Sequence, residues 1–200
     1  MLIIPQPILY VPAGGGGADT DDFNRSNENL TVSSDWTAVD GDATDAQVSS
    51  NQLVVQAGAG GYSAAYATAP SSDNYYIQWN FVSATNSSGE NRVGFAGRAS
   101  GGVFTGDGYW VRWDSAASSL LVVEKSSGSD TTIITGSSTP ADGDLIRLEM
   151  DGTSIELFVD GSSVGSATDS THTTGDTRLW VYQDAAGDIQ TLDNFEQGTL

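Results

Sequence analysis

The chain is predicted to be an all-β domain of the sandwich or jelly-roll kind, and three observations carry that prediction. Apolar and polar residues alternate along many short segments, the period of a half-buried strand. Asp-Gly pairs fall between such segments, where a tight hairpin needs the positive φ that glycine accepts. Helix-facing residues are scarce, with a single lysine (Lys125), 16% charged residues and 24 glycines, whereas soluble helices are usually faced with Lys, Glu, Arg and Ala. With 38% hydrophobic residues over 200 positions, the chain can fill one sizeable core.

Taken in order, Leu53 and Val55 mark an early strand, and Tyr62 to Tyr66 another. Tyr75, Ile77, Trp79 and Phe81 share one face of NYYIQWNFV, and Val93 and Phe95 lead the next strand up to Gly97. In GYWVRW, Tyr109, Val111 and Trp113 alternate with Trp110 and Arg112. Leu120 to Val123 is continuously apolar, as in a strand covered on both faces. Ile146, Leu148 and Met150 alternate with Arg147, Glu149 and Asp151. Asp151-Gly152 then leads to Ile155, Leu157 and Val159, and Asp160-Gly161 to Val164, a meander of three strands. Leu179 to Tyr182 and Leu192 to Phe195 close the domain. About a dozen strands with polar turns fit a sandwich or jelly roll.

Residues 1–12 form a proline-punctuated apolar peptide, 13–18 a glycine-rich linker and 19–200 the domain. Leu2, Ile3, Ile4, Ile8, Leu9, Tyr10 and Val11 would be poorly solvated in water, so the peptide is expected to dock on another subunit. Pro5, Pro7 and Pro12 break any helix there. The stretch has no basic n-region, and it is too short for the roughly 20 apolar residues of a membrane span. The net charge of −19, from 26 acidic against 7 basic residues, argues against nucleic acid, whose phosphates need clustered Lys and Arg. Without cysteine there is neither a disulfide framework nor a thiolate metal site.

The segments DDFNRSNENL…WTAVDG, NQLVV, GYWVRWD, DLIRLEMDGTSIELFVDG, DSTHTTGDTRLWVY and TLDNFEQG resemble, in order and spacing, the laminin-G-like branch of the concanavalin A-like lectin/glucanase superfamily. The resemblance runs from Asp19 to Gly198. It implies an antiparallel two-sheet jelly-roll β-sandwich in which an early DxF strand meets a final LDNF strand, behind an extended N-terminal tail. It also implies a concave face able to hold sugar chains, and a structural calcium where first and last strands meet, with Asp22 and Asp193 as ligands. Domains of this type resemble parts of phage tail, fibre and capsid proteins as well as secreted carbohydrate-active proteins.

Glycosidases of the superfamily carry an E-x-D-x-E strand, since hydrolysis with retention needs two carboxylates about 5 Å apart. The motif is absent. Glu149 and Asp151, the nearest approach, lie on a polar strand face before a turn, so no catalytic residue is assigned and a non-enzyme is expected. The only histidine, His172, sits in a polar loop and makes no transition-metal set by itself. A sugar-binding face needs rings beside polar groups. Trp110 and Arg112 share one strand face, as do Trp180 and Tyr182, although periodicity leaves open which face is core. With Tyr76 these make the candidate glycan platform: Tyr76, Trp110, Arg112, Trp180 and Tyr182.

The functional expectation is a non-enzymatic phage structural protein, a capsid decoration or fibre/tail component. It would be displayed on the virion in many copies, as a homo-oligomer if the copies pair, and docked onto other virion proteins through its tail. The alternative is an extracellular carbohydrate-binding module; a glycoside hydrolase is disfavoured by the missing carboxylate pair.

Overall fold

The computed structural model describes residues 18–55, 60–85, 91–114, 119–183 and 189–200, so the docking peptide and all of the linker but Ala18 lie outside the described residues. The described residues form sixteen strands: β1 (Asp19–Asp21), β2 (Glu28–Asn29), β3 (Trp36–Asp40), β4 (Ala46–Ser49), β5 (Gln52–Val55), β6 (Gly60–Tyr66), β7 (Tyr75–Thr85), β8 (Asn91–Ser100), β9 (Asp107–Asp114), β10 (Ser119–Ser126), β11 (Ser129–Thr135), β12 (Leu145–Asp151), β13 (Ser154–Val159), β14 (Ser162–Thr168), β15 (Asp176–Gln183) and β16 (Ile189–Thr199). A nine-stranded sheet runs in the order β14-β13-β12-β7-β16-β5-β4-β2, with β1 also paired to β16. A seven-stranded sheet runs β11-β10-β9-β8-β15-β6-β3. All pairings are antiparallel, and the two sheets stack as a sandwich.

The meander read from LIRLEMDGTSIELFVDGSSV is present as β12–β13–β14. Its second turn, between Val159 and Ser162, has Asp160 at φ 49° and Gly161 at φ 73°. Two positive φ values in a two-residue loop match the right-handed twist of the flanking strands. Two further hairpins use the same geometry with less obvious residues, Ser50-Asn51 (φ 57° and 62°) and Ser127-Gly128 (φ 50° and 82°).

Strand β16 joins the two ends of the domain. One edge pairs with β7, while the other is shared by β5 over Gln190–Leu192 and by β1, with Asp21 opposite Phe195. The DxF and LDNF segments thus meet as the resemblance implies. Asp21 anchors the junction: Oδ1 accepts from the Phe23 amide (2.9 Å) and Arg25 Nη1 (2.6 Å), and Oδ2 from the Trp36 indole (2.8 Å).

The core lies between the sheets. Tyr75, Ile77, Trp79 and Phe81 of β7 and Ile146, Leu148 and Met150 of β12 face Phe95, Tyr109, Val111, Trp113, Leu179 and Val181 of the seven-stranded sheet. Phe95 packs 4.8 Å from Phe195 and 5.1 Å from Trp79, centroid to centroid. This placement decides what periodicity left open: Tyr109, Val111 and Trp113 point inward, and Trp110 and Arg112 point outward. Strand β10 is buried on both faces, as its continuous apolar run predicts.

At one end, the buried Arg98 ties three connections together. Its guanidinium donates to the carbonyls of Asp73 (2.8 and 3.1 Å), Gly152 (2.7 Å), Met150 (3.2 Å) and His172 (3.3 Å). Five backbone hydrogen bonds meet a charge that would be costly to bury unpaired.

Candidate functional site

The outer face of the seven-stranded sheet departs from what an exposed sheet face usually carries. A second aromatic cluster lies there, separate from the core: Trp110 and Trp180 meet edge to face at 6.0 Å, packed with Ala96, Ala99 and Val103 and flanked by Tyr182. The strands place them side by side, since Trp180 pairs with Gly94 of β8 and Trp110 with Ala96. Small residues on the strand between leave room for two indoles. At Gly94 even a Cβ would press on the Val111 carbonyl.

Arginines continue the strip at both ends. Arg112 stacks over Trp110 at 4.7 Å, and Arg92 over Tyr182 at 5.3 Å, the geometry of cation–π attraction. Asp114 lies 3.6 Å from both guanidinium groups. Asp130 receives Arg112 Nη1 at 3.0 Å and Lys125 Nζ at 2.7 Å. Burial tends to raise the Asp130 pKa, but the hydrogen bonds from Lys125 and Arg112 win and hold it below the usual carboxylate value. Burial is the first cause of the lowered Arg112 pKa, only partly offset by Asp130.

Several polar groups of this face are buried and unpartnered: Nε1 of Trp110 and Trp180, Nε of Arg112 and Arg178, and the Ser119 hydroxyl. Buried donors are normally paired, so a set of them on one face is informative.

The turn from Gly101 to Gly106 covers part of the strip. Val103 and Phe104 lie directly over Gly61, the Gly106 backbone sits against Trp180, and Arg178 Nη1 holds the Gly101 carbonyl at 3.0 Å. Phe104 is half exposed and meets Tyr182 edge to face at 5.9 Å. It belongs to the site, and the sequence reading missed it because the glycine-rich stretch around it has no strand period.

Four of the five residues proposed as a glycan platform therefore share one face: Trp110, Arg112, Trp180 and Tyr182. The two indoles, at 1% and 0% exposure, do not form an open surface; the ring area reached from solvent is that of Tyr182 and Phe104. Tyr76 lies elsewhere, on the outer face of the nine-stranded sheet. There its hydroxyl donates to Glu196, and Arg147 lies 3.6 Å over its ring while bonding Glu149 (2.7 Å) and Gln78 (3.1 Å). Burial, and then Glu196, push the Tyr76 phenol up to about 12.

Glu149 is held by Arg147 in that cluster, and Asp151 accepts from Asn74 Nδ2 (2.9 Å). His172 does not hang free in its loop: Nε2 contacts Glu124 at 2.9 Å, and its amide donates to the Tyr109 hydroxyl at 3.2 Å. Gly161 to Gly165 spells G-x-S-x-G, but it lies on strand β14, where Ser163 donates to Glu156 at 2.6 Å, and not on the strand-to-helix turn of a nucleophile elbow.

Asp22 and Asp193, the calcium candidates, lie close enough to feel one another. Burial raises the Asp193 pKa, and the nearby Asp22 and Asp21 charges raise it further against the lowering effect of the Asn194 amide. Asp21 is already committed to Phe23, Arg25 and Trp36. Two remaining carboxylates supply only part of the six to eight oxygens calcium takes, and no cluster of three His, Cys, Asp or Glu gathers there among the described residues.

No family model matches the chain, and no curated protein does. Solved structures do match. The carbohydrate-binding module CBM66 of Bacillus subtilis aligns with a TM-score of 0.61 at 16% identity, covering 80% of this chain and 91% of that one. A prokaryotic β-1,3-1,4-glucanase (lichenase) from a mouse hindgut metagenome aligns at 0.65 with 12% identity, covering 92% and 99%. The potassium-bound carbohydrate recognition domain of Emp46p aligns at 0.64 with 13% identity, covering 90% and 96%. Lichenase and the Bacillus licheniformis β-glucanase correct the expectation of a non-enzyme. Chains of this shape include glycan hydrolases, so a missing E-x-D-x-E does not exclude catalysis. The main support for the virion expectation, the apolar tail, lies outside the described residues, and none of these matches carries a virion role. At these identities the likeness is one of fold: the chain has the two-sheet jelly roll seen in these lectin and glucanase structures.

Proposed function

We propose that the protein is a carbohydrate-binding jelly roll whose ligand lies on the outer face of the seven-stranded sheet. One observation carries the reading: aromatic rings and guanidinium groups gather on a sheet face that is not the core, with Phe104 half exposed beside Tyr182. A sugar's C–H face stacks on a ring while its hydroxyls bond to polar neighbours. Phe104 and Tyr182 supply the rings, and Arg92 the adjoining donor. The fold neighbours support this reading, being a carbohydrate-binding module, a carbohydrate recognition domain and glucanases.

Affinity electrophoresis against a panel of polysaccharides tests the proposal. The protein should be retarded by at least one of them, and Phe104→Ala or Tyr182→Ala should weaken the affinity roughly tenfold while Tyr76→Ala leaves it. Retardation undiminished by both ring deletions would place the ligand elsewhere. Reducing-sugar release from the same panel reads whether binding leads to hydrolysis.

A further inference from the structure

Resting on that glycan-binding reading, we infer the class of glycan: an anionic polysaccharide, whose carboxylate or sulfate groups meet the arginine–indole strip. The first ground is the kind of group left unpaired. Trp110 Nε1, Trp180 Nε1, Arg112 Nε and Arg178 Nε are donors with no accepting capacity, and the Ser119 hydroxyl can donate as well. Among the described residues, the unpartnered buried atoms of this face include no obligate acceptor. A neutral sugar offers hydroxyls that donate as often as they accept. A carboxylate or sulfate only accepts, and it pairs in the plane of a guanidinium edge.

The second ground is charge placement. Four of the seven basic residues, Arg92, Arg112, Lys125 and Arg178, sit on this one face in a chain of net charge −19. Three aspartates pair with them there, Asp114, Asp130 and Asp176, and Asp40 accepts from the Ser63 hydroxyl nearby. Among the described residues, the face thus carries basic and acidic side chains in near balance on a strongly acidic molecule. It is where an anionic polymer escapes the repulsion that the rest of the surface imposes.

The strip is contiguous. Arg112 lies on Trp110, Trp110 meets Trp180, and Asp114 links Arg112 to Arg92, which lies on Tyr182 beside Phe104. A sugar ring seated on Phe104 and Tyr182 brings its acid group to Arg92.

The test is binding of the full chain to polygalacturonate, fully methyl-esterified polygalacturonan, dextran sulfate and unmodified dextran, each at low and high salt. Polygalacturonate or dextran sulfate should bind at least roughly tenfold more tightly than its uncharged counterpart, weaken with salt and lose roughly tenfold in Arg92→Gln, the size of one charge-assisted hydrogen bond. Arg112→Gln should do the same, and if it fails to fold, the less buried Arg92→Gln still decides. Preference for polygalacturonate identifies carboxylate as the group recognised, and preference for dextran sulfate identifies sulfate; either upholds the inference. Equal binding of charged and uncharged polymers, lost in Phe104→Ala, would overturn the anionic class and leave glycan binding intact. No binding to any polysaccharide of the wider panel would overturn both.

Discussion

The outer faces of the two sheets carry the same kinds of residue to opposite effect. On the nine-stranded sheet, Tyr76, Gln78, Arg147, Glu149 and Glu196 form a closed cluster in which the phenol, the guanidinium and both carboxylates have partners. On the seven-stranded sheet, Trp110, Trp180, Arg112 and Arg178 each keep a buried donor without one. An aromatic beside an arginine is therefore no binding site in itself. What distinguishes a site is unspent hydrogen-bonding capacity next to a ring that solvent can reach.

The largest expected effect separates the faces by stability. Trp180→Ala removes a fully buried indole from the outer cluster and should cost about 3–5 kcal/mol in urea denaturation, as a core substitution would. A loss below about 1 kcal/mol would show that the cluster contributes little to folding. Next comes binding: Phe104→Ala should weaken a retained polysaccharide roughly tenfold, the equivalent of about 1.4 kcal/mol, and Tyr76→Ala should leave affinity unchanged. An equal loss in both variants would erase the distinction between the faces.

A smaller effect tests the closed cluster. Arg147→Gln leaves Glu149 without its cation, yet Glu149 remains partly solvated, so about 1 kcal/mol of stability is expected to go.

Acid sharpens the contrast further. The Asp130 pKa is depressed in the folded state, so its contribution is present above the unfolded carboxylate value of about 4 and is lost as pH falls through the lower folded value. Thermal melts between pH 5 and pH 3 should show the parent losing more stability than Asp130→Asn. Parallel curves would mean that Asp130 is not coupled to its two cations.

Asp193 has the opposite sign and the smallest effect. Its raised pKa makes the ionised form a burden in the folded state, so its contribution favours folding at low pH and is lost as pH rises through the folded value. Asp193→Asn should therefore raise the melting temperature slightly at pH 7. EDTA should leave the parent's melt where it is, whereas a clear rise with calcium, absent in Asp193→Asn, would restore an ion at the β1–β16 junction.

Much of the fold was legible because strand period and Asp-Gly turns are local signals. The β12–β14 meander and the inward set of β7 follow from neighbours a few residues apart. The Ser50-Asn51 and Ser127-Gly128 hairpins were not legible, since serine is an unusual residue for positive φ. The candidate site was legible only in part. Alternation put Trp110 with Arg112 and Trp180 with Tyr182, but it has no means of telling which sheet a face belongs to. Tyr76 was therefore grouped with residues on the other side of the sandwich, and Phe104, in a turn without period, was left out.

By itself, the sequence determined an all-β chain and the positions of most of its strands, because each depends on backbone period, while the meeting of its DxF and LDNF segments followed only from the family resemblance. Tertiary structure alone decided which side of each strand is core, that two indoles from β9 and β15 touch across β8, and that a turn residue lies over them. Those facts depend on sheet order, which brings together residues far apart in the chain through pairings that no local pattern encodes.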